Sequence, residues 1–303
     1  MGTNNKDTKF VRVTSFPFLT PQAGTFYAEG ATTADVLEFQ HEILMFFGGL
    51  SAKHERIGMA SVEKDSFDGT TWTQWFSVPI VDIGDSSDFD SLHVTDPASV
   101  VVNNKIYLYY SGIGKGEDAI GLSISENGRV FTKSIFCPVI RGRAPEIVLY
   151  NGRFYLFFVR EDGLGGYSIY SNVSDDGIHF SDAESRIVLA PTPDSWDGYS
   201  ITTPRILKTD DHFMMIYAGD NRTRDQPKSF GLAFSEDLEN WSKYSNNPVF
   251  TRGKPGNWDD QAIWFGTPYI CQGRVLMLYE GCQKPIGHEE PLSQIGIAEM
   301  AMV

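Results

Sequence analysis

Residues 106–112 read IYLYYSG: an apolar run that ends in two aromatic residues, a small residue and a glycine. The same pattern returns as ILMFFGG at 43–49, FYLFFV at 154–159, FMMIYAG at 213–219 and VLMLYEG at 275–281. Each copy is followed by a second extended run with Gly or Ser alternation: IGMAS from Ile57, IGLSIS from Ile120, IYSNVS from Ile169, FGLAFS from Phe230 and IGIAEM from Ile295. Four of these lead to a turn and an aromatic residue: Asp68-Gly69 before Trp72, Asn127-Gly128 before Phe131, Asp176-Gly177 before Phe180, and Asp237 before Trp241. Asn-Gly and Asp-Gly are hairpin signals because both residues tolerate positive φ. Ahead of the aromatic-pair run stands another extended run carrying Pro97, Pro145, Pro204 or Pro268, a residue tolerated where it opens a strand.

The repeating unit is thus four antiparallel strands, occurring five times in 303 residues with no helical periodicity between copies. Four-stranded units repeated around an axis make a propeller. The expected fold is all-β: a single five-bladed β-propeller, one domain over residues 1–303, with blades near 22–80, 88–138, 139–195, 196–250 and 257–303. The last copy lacks its outer strand, and the alternating segment Phe10-Val11-Arg12-Val13-Thr14 can supply it, closing the ring and removing an exposed edge. A two-domain β-sandwich is the competing arrangement, but it gives no reason for five equal copies.

Composition narrows the function. Apolar residues make up 41% of the chain, enough to fill a core, and no apolar run is long enough for a membrane-spanning helix. The net charge of −14 disfavours nucleic-acid and anionic-membrane partners and leaves a small molecule or oligosaccharide as the expected ligand. Three cysteines (Cys137, Cys271 and Cys282) without a C-x-x-C read as reduced thiols, with a Cys271–Cys282 bridge as the alternative. The segment MGTNNKDTKF has no apolar core, which implies a cytoplasmic protein or a secreted one whose leader has been removed. The acidic stretch at 82–90 offers oxygen ligands without EF-hand spacing, so a structural calcium is conceivable but no cofactor is expected. No H-E-x-x-H, G-x-S-x-G or phosphate-cradling glycine loop occurs.

Setting the repeats on their prolines identifies the residues that face the central channel. Residues flanking the proline share a face by strand alternation, which directs Asp35, Asp96, Glu146 and Arg205 to a common axis. Three carboxylates and a guanidinium gathered there are costly unless used or compensated. His93 and Arg143 stand nearby on the same strands, and Trp264, Tyr199, Phe265 and Tyr27 are candidate platforms for the C–H face of a sugar. Trp72 and Trp241 belong to the outer repeat and read as structural.

Val94-Thr95-Asp96-Pro97 followed by IYLYYSG, with Pro145-Glu146 followed by FYLFFV, resembles the five-bladed propeller glycoside hydrolases of family 43 and the related family 32. The resemblance implies three carboxylates: Asp35 as base, with Glu29 as its rival, Asp96 as the orienting residue of an Asp-Pro, and Glu146 as general acid. The sequence departs from the family pattern in two places. The first blade has no Asp-Pro, and Arg143 stands two residues before its proline, where the family places the acid. His93, Arg143, Tyr199, Arg205 and Trp264 would bind substrate, and an inverting glycosidase is expected by analogy. A non-hydrolytic carbohydrate- or small-molecule-binding propeller, or other acid–base chemistry on a specialised metabolite, are the alternatives.

Overall fold

A computed structural model describes residues 8–283 and 292–302. Most of the segment at the start of the chain that bears on targeting falls outside them. The described residues form strands, with two short 3₁₀ turns, Lys64–Ser66 and Asp182–Glu184. The strands fall into consecutive antiparallel units. The first is Gly30–Phe39, Glu42–Ser51, His54–Glu63 and Gln74–Trp75; the second is His93–Val102, Lys105–Ile113, Ala119–Ser125 and Thr132–Lys133. The third is Arg143–Tyr150, Arg153–Glu161, Tyr167–Ser174 and Arg186–Leu189, and the fourth is Ser200–Lys208, Phe213–Asp220, Ser229–Ser235 and Ser242–Lys243. The last joins Ala262–Cys271, Arg274–Cys282 and Ser293–Met302 to Thr8–Arg12 from the other end of the chain.

The aromatic pair of the repeat is explained by what lies on either side of each unit. Successive strand residues face opposite sides of a sheet, and every second strand is covered on both. Phe46 enters the apolar cluster between the first and second units, while Phe47 enters the one between the first and last. Tyr109 and Tyr110 divide in the same way, as do Phe157 and Phe158, and Ile216 and Tyr217. Leu278 faces the first unit and Tyr279 the fourth. The five clusters therefore lie between successive units and between the last and the first. Trp72 and Trp241 sit in these clusters or against them.

The closing glycine of the repeat has a steric cause. A Cβ on Gly112 would stand 2.3 Å from the Phe89 ring, and one on Gly281 would stand 2.9 Å from Trp258. Gly219 stands likewise against Trp196, and each of these three aromatics lies in a loop entering its unit and is followed directly by a buried aspartate: Asp90, Asp197 and Asp259. Each aspartate accepts a hydrogen bond from a second-strand tyrosine: Tyr110 to Asp90 at 2.9 Å, Tyr217 to Asp197 at 3.1 Å and Tyr279 to Asp259 at 3.0 Å. Each is also paired with a cation from the outermost strand: Lys133, Lys243 and, in the last unit, Arg12. Arg12 thus takes from the far end of the chain the place that lysine holds elsewhere. It also covers the Phe250 ring at 4.4 Å and donates to the Thr251 carbonyl at 2.7 Å.

In the acidic stretch at 82–90, Asp90 contacts Tyr110 and Lys133 and Asp82 contacts Arg56. One expectation changes. The prolines do not open their strands. Pro97, Pro145 and Pro204 lie inside them at β-bulges, between Thr95 and Ala98, Arg143 and Glu146, and Thr202 and Arg205. They are tolerated because these innermost strands have a free edge toward the axis. All three cysteines are free thiols, so Cys271 and Cys282 are not bridged.

Arg12→Ala leaves buried Asp259 without its cation and should cost about 2–3 kcal/mol, below the cost of breaking a fully buried pair because Arg12 is partly exposed. Lys9→Ala, which loses only hydrogen bonds to the carbonyls of Asn246 and Pro248, should cost under about 1 kcal/mol. Denaturant midpoints of the two variants provide the check.

Candidate active site

The bulges determine what reaches the axis. Each inserts residues into the innermost strand, and the first of them adopts positive φ: Asp96 at 56°, Ala144 at 52°, Thr203 at 50° and Phe265 at 49°. Such backbone is strained for a residue with a side chain and concentrates where structure or function demands it. The first unit has a shorter bulge at Thr33, between Thr32 and Ala34. Register then aligns two successive rungs around the axis. The upper rung is Thr33, Asp96, Ala144, Thr203 and Phe265; the lower is Asp35, Ala98, Glu146, Arg205 and Thr267. In the last unit Gly266, not Pro268, occupies the proline's place.

Arg205 fills the centre of the lower rung and is 1% exposed. Its guanidinium donates to the carbonyls of Pro145 at 2.7 Å and Pro97 at 2.8 Å, to Thr267 Oγ1 at 3.0 Å and to Glu146 Oε2 at 3.1 Å. Thr267 passes its own proton to the Ala34 carbonyl at 2.6 Å. Glu146 also accepts from the Ile206 amide at 2.9 Å, and Asp35 accepts from Ser99. Burial drives the Glu146 carboxyl up to about 7, helped by the Asp35 charge and opposed by Arg205. Burial likewise raises Asp35 above the usual carboxylate range, against the pull of Arg205.

Above this layer opens a pocket of about 350 Å³ lined by the upper rung, by Thr32, Thr95, Arg143, Thr202 and Trp264, and by Glu55, His93, Asp225, Glu280 and Ser293. Three carboxylates in it are strung together by threonine hydroxyls. Glu280 Oε2 accepts from the Thr33 amide at 3.0 Å and from Thr33 Oγ1 at 3.1 Å, and its Oε1 accepts from Ser293 at 2.7 Å. Thr33 Oγ1 also lies 3.4 Å from Asp96 Oδ1. Asp96 takes Ser111 at 2.6 Å on its other oxygen, and Thr95 Oγ1 stands between Asp96 at 3.4 Å and Glu55 at 3.3 Å. His93 Nδ1 is 3.3 Å from Glu55 Oε2. Burial lifts Glu280 to about 7, with the Glu55 and Asp96 charges adding to the rise. Asp96 is raised by burial and by Glu55 and lowered by Arg143. Arg143 pairs with Asp225 at 3.3 Å.

The structure therefore brings Asp96, His93, Arg143 and Trp264 together in the pocket, with Phe265 on its wall. Asp35, Glu146 and Arg205 converge on the axis as expected but one rung away, among the buried groups that join the units, and none of them lines the pocket. Glu29 is exposed and contacts the Lys53 amide; Tyr199 is 37% exposed with its hydroxyl on the Gly165 carbonyl; Tyr27 is buried against Phe26 and Phe47. None of these three lines the pocket.

The family described as "Glycosyl hydrolases family 32 N-terminal domain" matches residues 144–265. A thermostable family-43 glycoside hydrolase superposes with a TM-score of 0.72 at 17% identity, over 92% of both chains. A glycosyl hydrolase from Bacteroides ovatus gives 0.73 at 15% identity, over 96% of this chain and 92% of its own. The β-1,2-mannobiose phosphorylase of Listeria innocua gives 0.73 at 14% identity, over 95% and 96%. No curated protein sequence matches. The fold is that of the propeller-like glycoside hydrolases.

Three pocket carboxylates, Glu280, Glu55 and Asp225, escape a reading based on prolines. Glu280 lies on the second strand of the last unit, paired with Trp264, at the place held by Gly48, Ser111 and Ala218. A charged residue where the repeat requires a small one was the available signal. Glu55 lies at the seam where the first unit meets His93 of the second, outside the repeated motif.

The raised carboxyls have a thermodynamic consequence. A carboxyl that titrates higher in the folded protein stabilises it at low pH, and that contribution fades as pH climbs through the folded value. Glu146 and Glu280, moved from 4.5 to about 7, should therefore make stability fall between those limits. Glu280→Gln keeps an acceptor for the Thr33 amide and removes one titration. Its melting temperature should decline less than the wild type's over that range, as pH-resolved thermal unfolding can establish.

Proposed function

We propose that the chain is one domain, a five-bladed propeller closed by Thr8–Arg12, and that its pocket hydrolyses a glycosidic bond. The apolar clusters on both sides of every unit support the closed ring. The observation that carries the activity is the chain of three carboxylates, Glu280, Asp96 and Glu55, along one wall of a pocket that also holds Trp264, His93 and Arg143. Likeness to family 32 in sequence and to a family-43 enzyme in fold supports the same reading.

Hydrolysis needs a carboxylic acid to protonate the leaving oxygen and a carboxylate to activate water. Glu280, lifted by burial to about 7, is still protonated in about half the molecules at neutral pH and is the acid. Glu55, with its side chain 20% exposed, stands at the wetter end of the chain and serves as base. Asp96 lies between them, oriented by Ser111, and its charge favours the protonated form of Glu280. With separate residues as acid and base and water as the nucleophile, this assignment is that of an inverting enzyme. Trp264 offers its ring to the sugar, and Arg143 and His93 offer N–H groups to its hydroxyls.

A panel of aryl furanosides and pyranosides tests this reading. Wild type should turn over at least one member, and Glu280→Gln should lower kcat by about 10²–10⁴-fold on it. Asp35→Asn should leave the rate within a few-fold, and Trp264→Ala should raise KM. A rate lost in Asp35→Asn and kept in Glu280→Gln would return the chemistry to the lower rung. Sugar binding without turnover would make the protein a carbohydrate-binding propeller, and turnover that requires added inorganic phosphate would make it a phosphorylase.

A further inference from the structure

Thr33 is the one upper-rung residue whose hydroxyl touches two of the pocket's carboxylates. Its Oγ1 is 3.1 Å from Glu280 Oε2 and 3.4 Å from Asp96 Oδ1, and it is 1% exposed. A threonine hydroxyl carries a single proton. It can donate to one carboxylate only, and toward the other it presents a lone pair. That second contact is attractive only when the facing carboxyl is itself protonated. The geometry is fully satisfied by one added proton: on Glu280, with Thr33 donating to Asp96, or on Asp96, with Thr33 donating to Glu280.

We propose that Thr33 is a positioning residue that makes Glu280 and Asp96 hold one proton in common and relays it between them. In the transfer, the O–H bond at Glu280 Oε2 breaks as Thr33 Oγ1 gains that proton. The O–H bond of Thr33 breaks as Asp96 Oδ1 gains the other. Charge and proton number are unchanged, and no bulk water takes part. The Thr33 amide, donating to Glu280 Oε2 at 3.0 Å, fixes the carboxyl in line for the exchange. When the shared proton rests on Asp96, the same relay run in reverse returns it to Glu280, which is thereby loaded before it protonates a leaving group. The role in turnover rests on the glycosidase reading above; the shared proton does not.

The charged and titratable groups around the pair are Glu55 and His93 beside Asp96, Arg143 and Asp225 across the pocket, Arg205 below and Cys282 behind Glu280. None of them is bonded to the Thr33 hydroxyl.

The test compares Thr33→Val, which keeps the shape without the hydroxyl, with Thr33→Ser, which keeps the hydroxyl. Infrared titration of the protonated carboxyl stretch, assigned with Glu280→Gln and Asp96→Asn, reads the proton directly. In wild type and Thr33→Ser, either assignment variant should shift the titration of the remaining carboxyl. In Thr33→Val that shift should shrink to the smaller through-space effect of one charge on the other. On a hydrolysed glycoside, Thr33→Val should lower kcat about tenfold or more with KM within twofold, and Thr33→Ser should recover most of the rate. If Thr33→Val does not fold, Thr33→Ala replaces it. Coupling undiminished without the hydroxyl, or a Thr33→Val rate equal to wild type on a hydrolysed glycoside, would overturn the proposal. Should no glycoside be cleaved at all, the hydrolase reading fails, while the infrared result still decides whether Thr33 shares a proton.

Discussion

The molecule depends on what happens at its axis, where the innermost strand of every unit has one edge with no neighbour. Unpaired backbone carbonyls buried there would each cost a kcal/mol or more. Arg205 removes that cost with a single side chain. Its planar fork takes the carbonyls of the second and third units, the hydroxyl of the last and the carboxylate of the third, and Thr267 extends the contact to the first unit. A lysine has neither the spread nor the number of donors to do this. The charge brought into the interior is compensated by Glu146 and Asp35, which gives both buried acids a partner at the axis.

Much of the fold could be read from the sequence because its repeat encodes burial on both faces of one strand. A pair such as Tyr109-Tyr110 is buried on both sides of its strand, so both sides must be covered, and a neighbouring unit covers each. The closing strand was legible from its alternation, but its anchor was not. Arg12 reveals itself as the counterpart of Lys133 and Lys243 only when buried Asp259 is seen beside Asp90 and Asp197.

The axial residues were legible as a set, and their height was not. Strand alternation places residues on either side of a proline on one face, which holds only while the strand is regular. A bulge breaks the alternation and stretches the interval, so Asp96 and Glu146, each beside a proline, end on different rungs. Bulges of this kind depend on pairing with the neighbouring strand and on left-handed backbone at Asp96 and Ala144, for which neither residue type is a signal. Glu280 was hidden for a related reason: it was counted as part of the repeat it interrupts.

The separation into two rungs divides the acids by what neutralises them. On the lower rung two carboxyls share a buried guanidinium bonded directly to Glu146, and their charge is spent on structure. In the pocket above, Glu280, Asp96 and Glu55 are strung together by hydroxyls, and the one guanidinium lining it, Arg143, is already paired with a fourth carboxylate, Asp225. Buried charges left without partners shift until they are neutral. Besides the threonine and serine hydroxyls, the Thr33 amide donates along that wall, and burial still lifts Glu280 to about 7. On the glycosidase reading, that raised carboxyl, in a pocket open enough to admit a ligand, is what suits the site to acid catalysis.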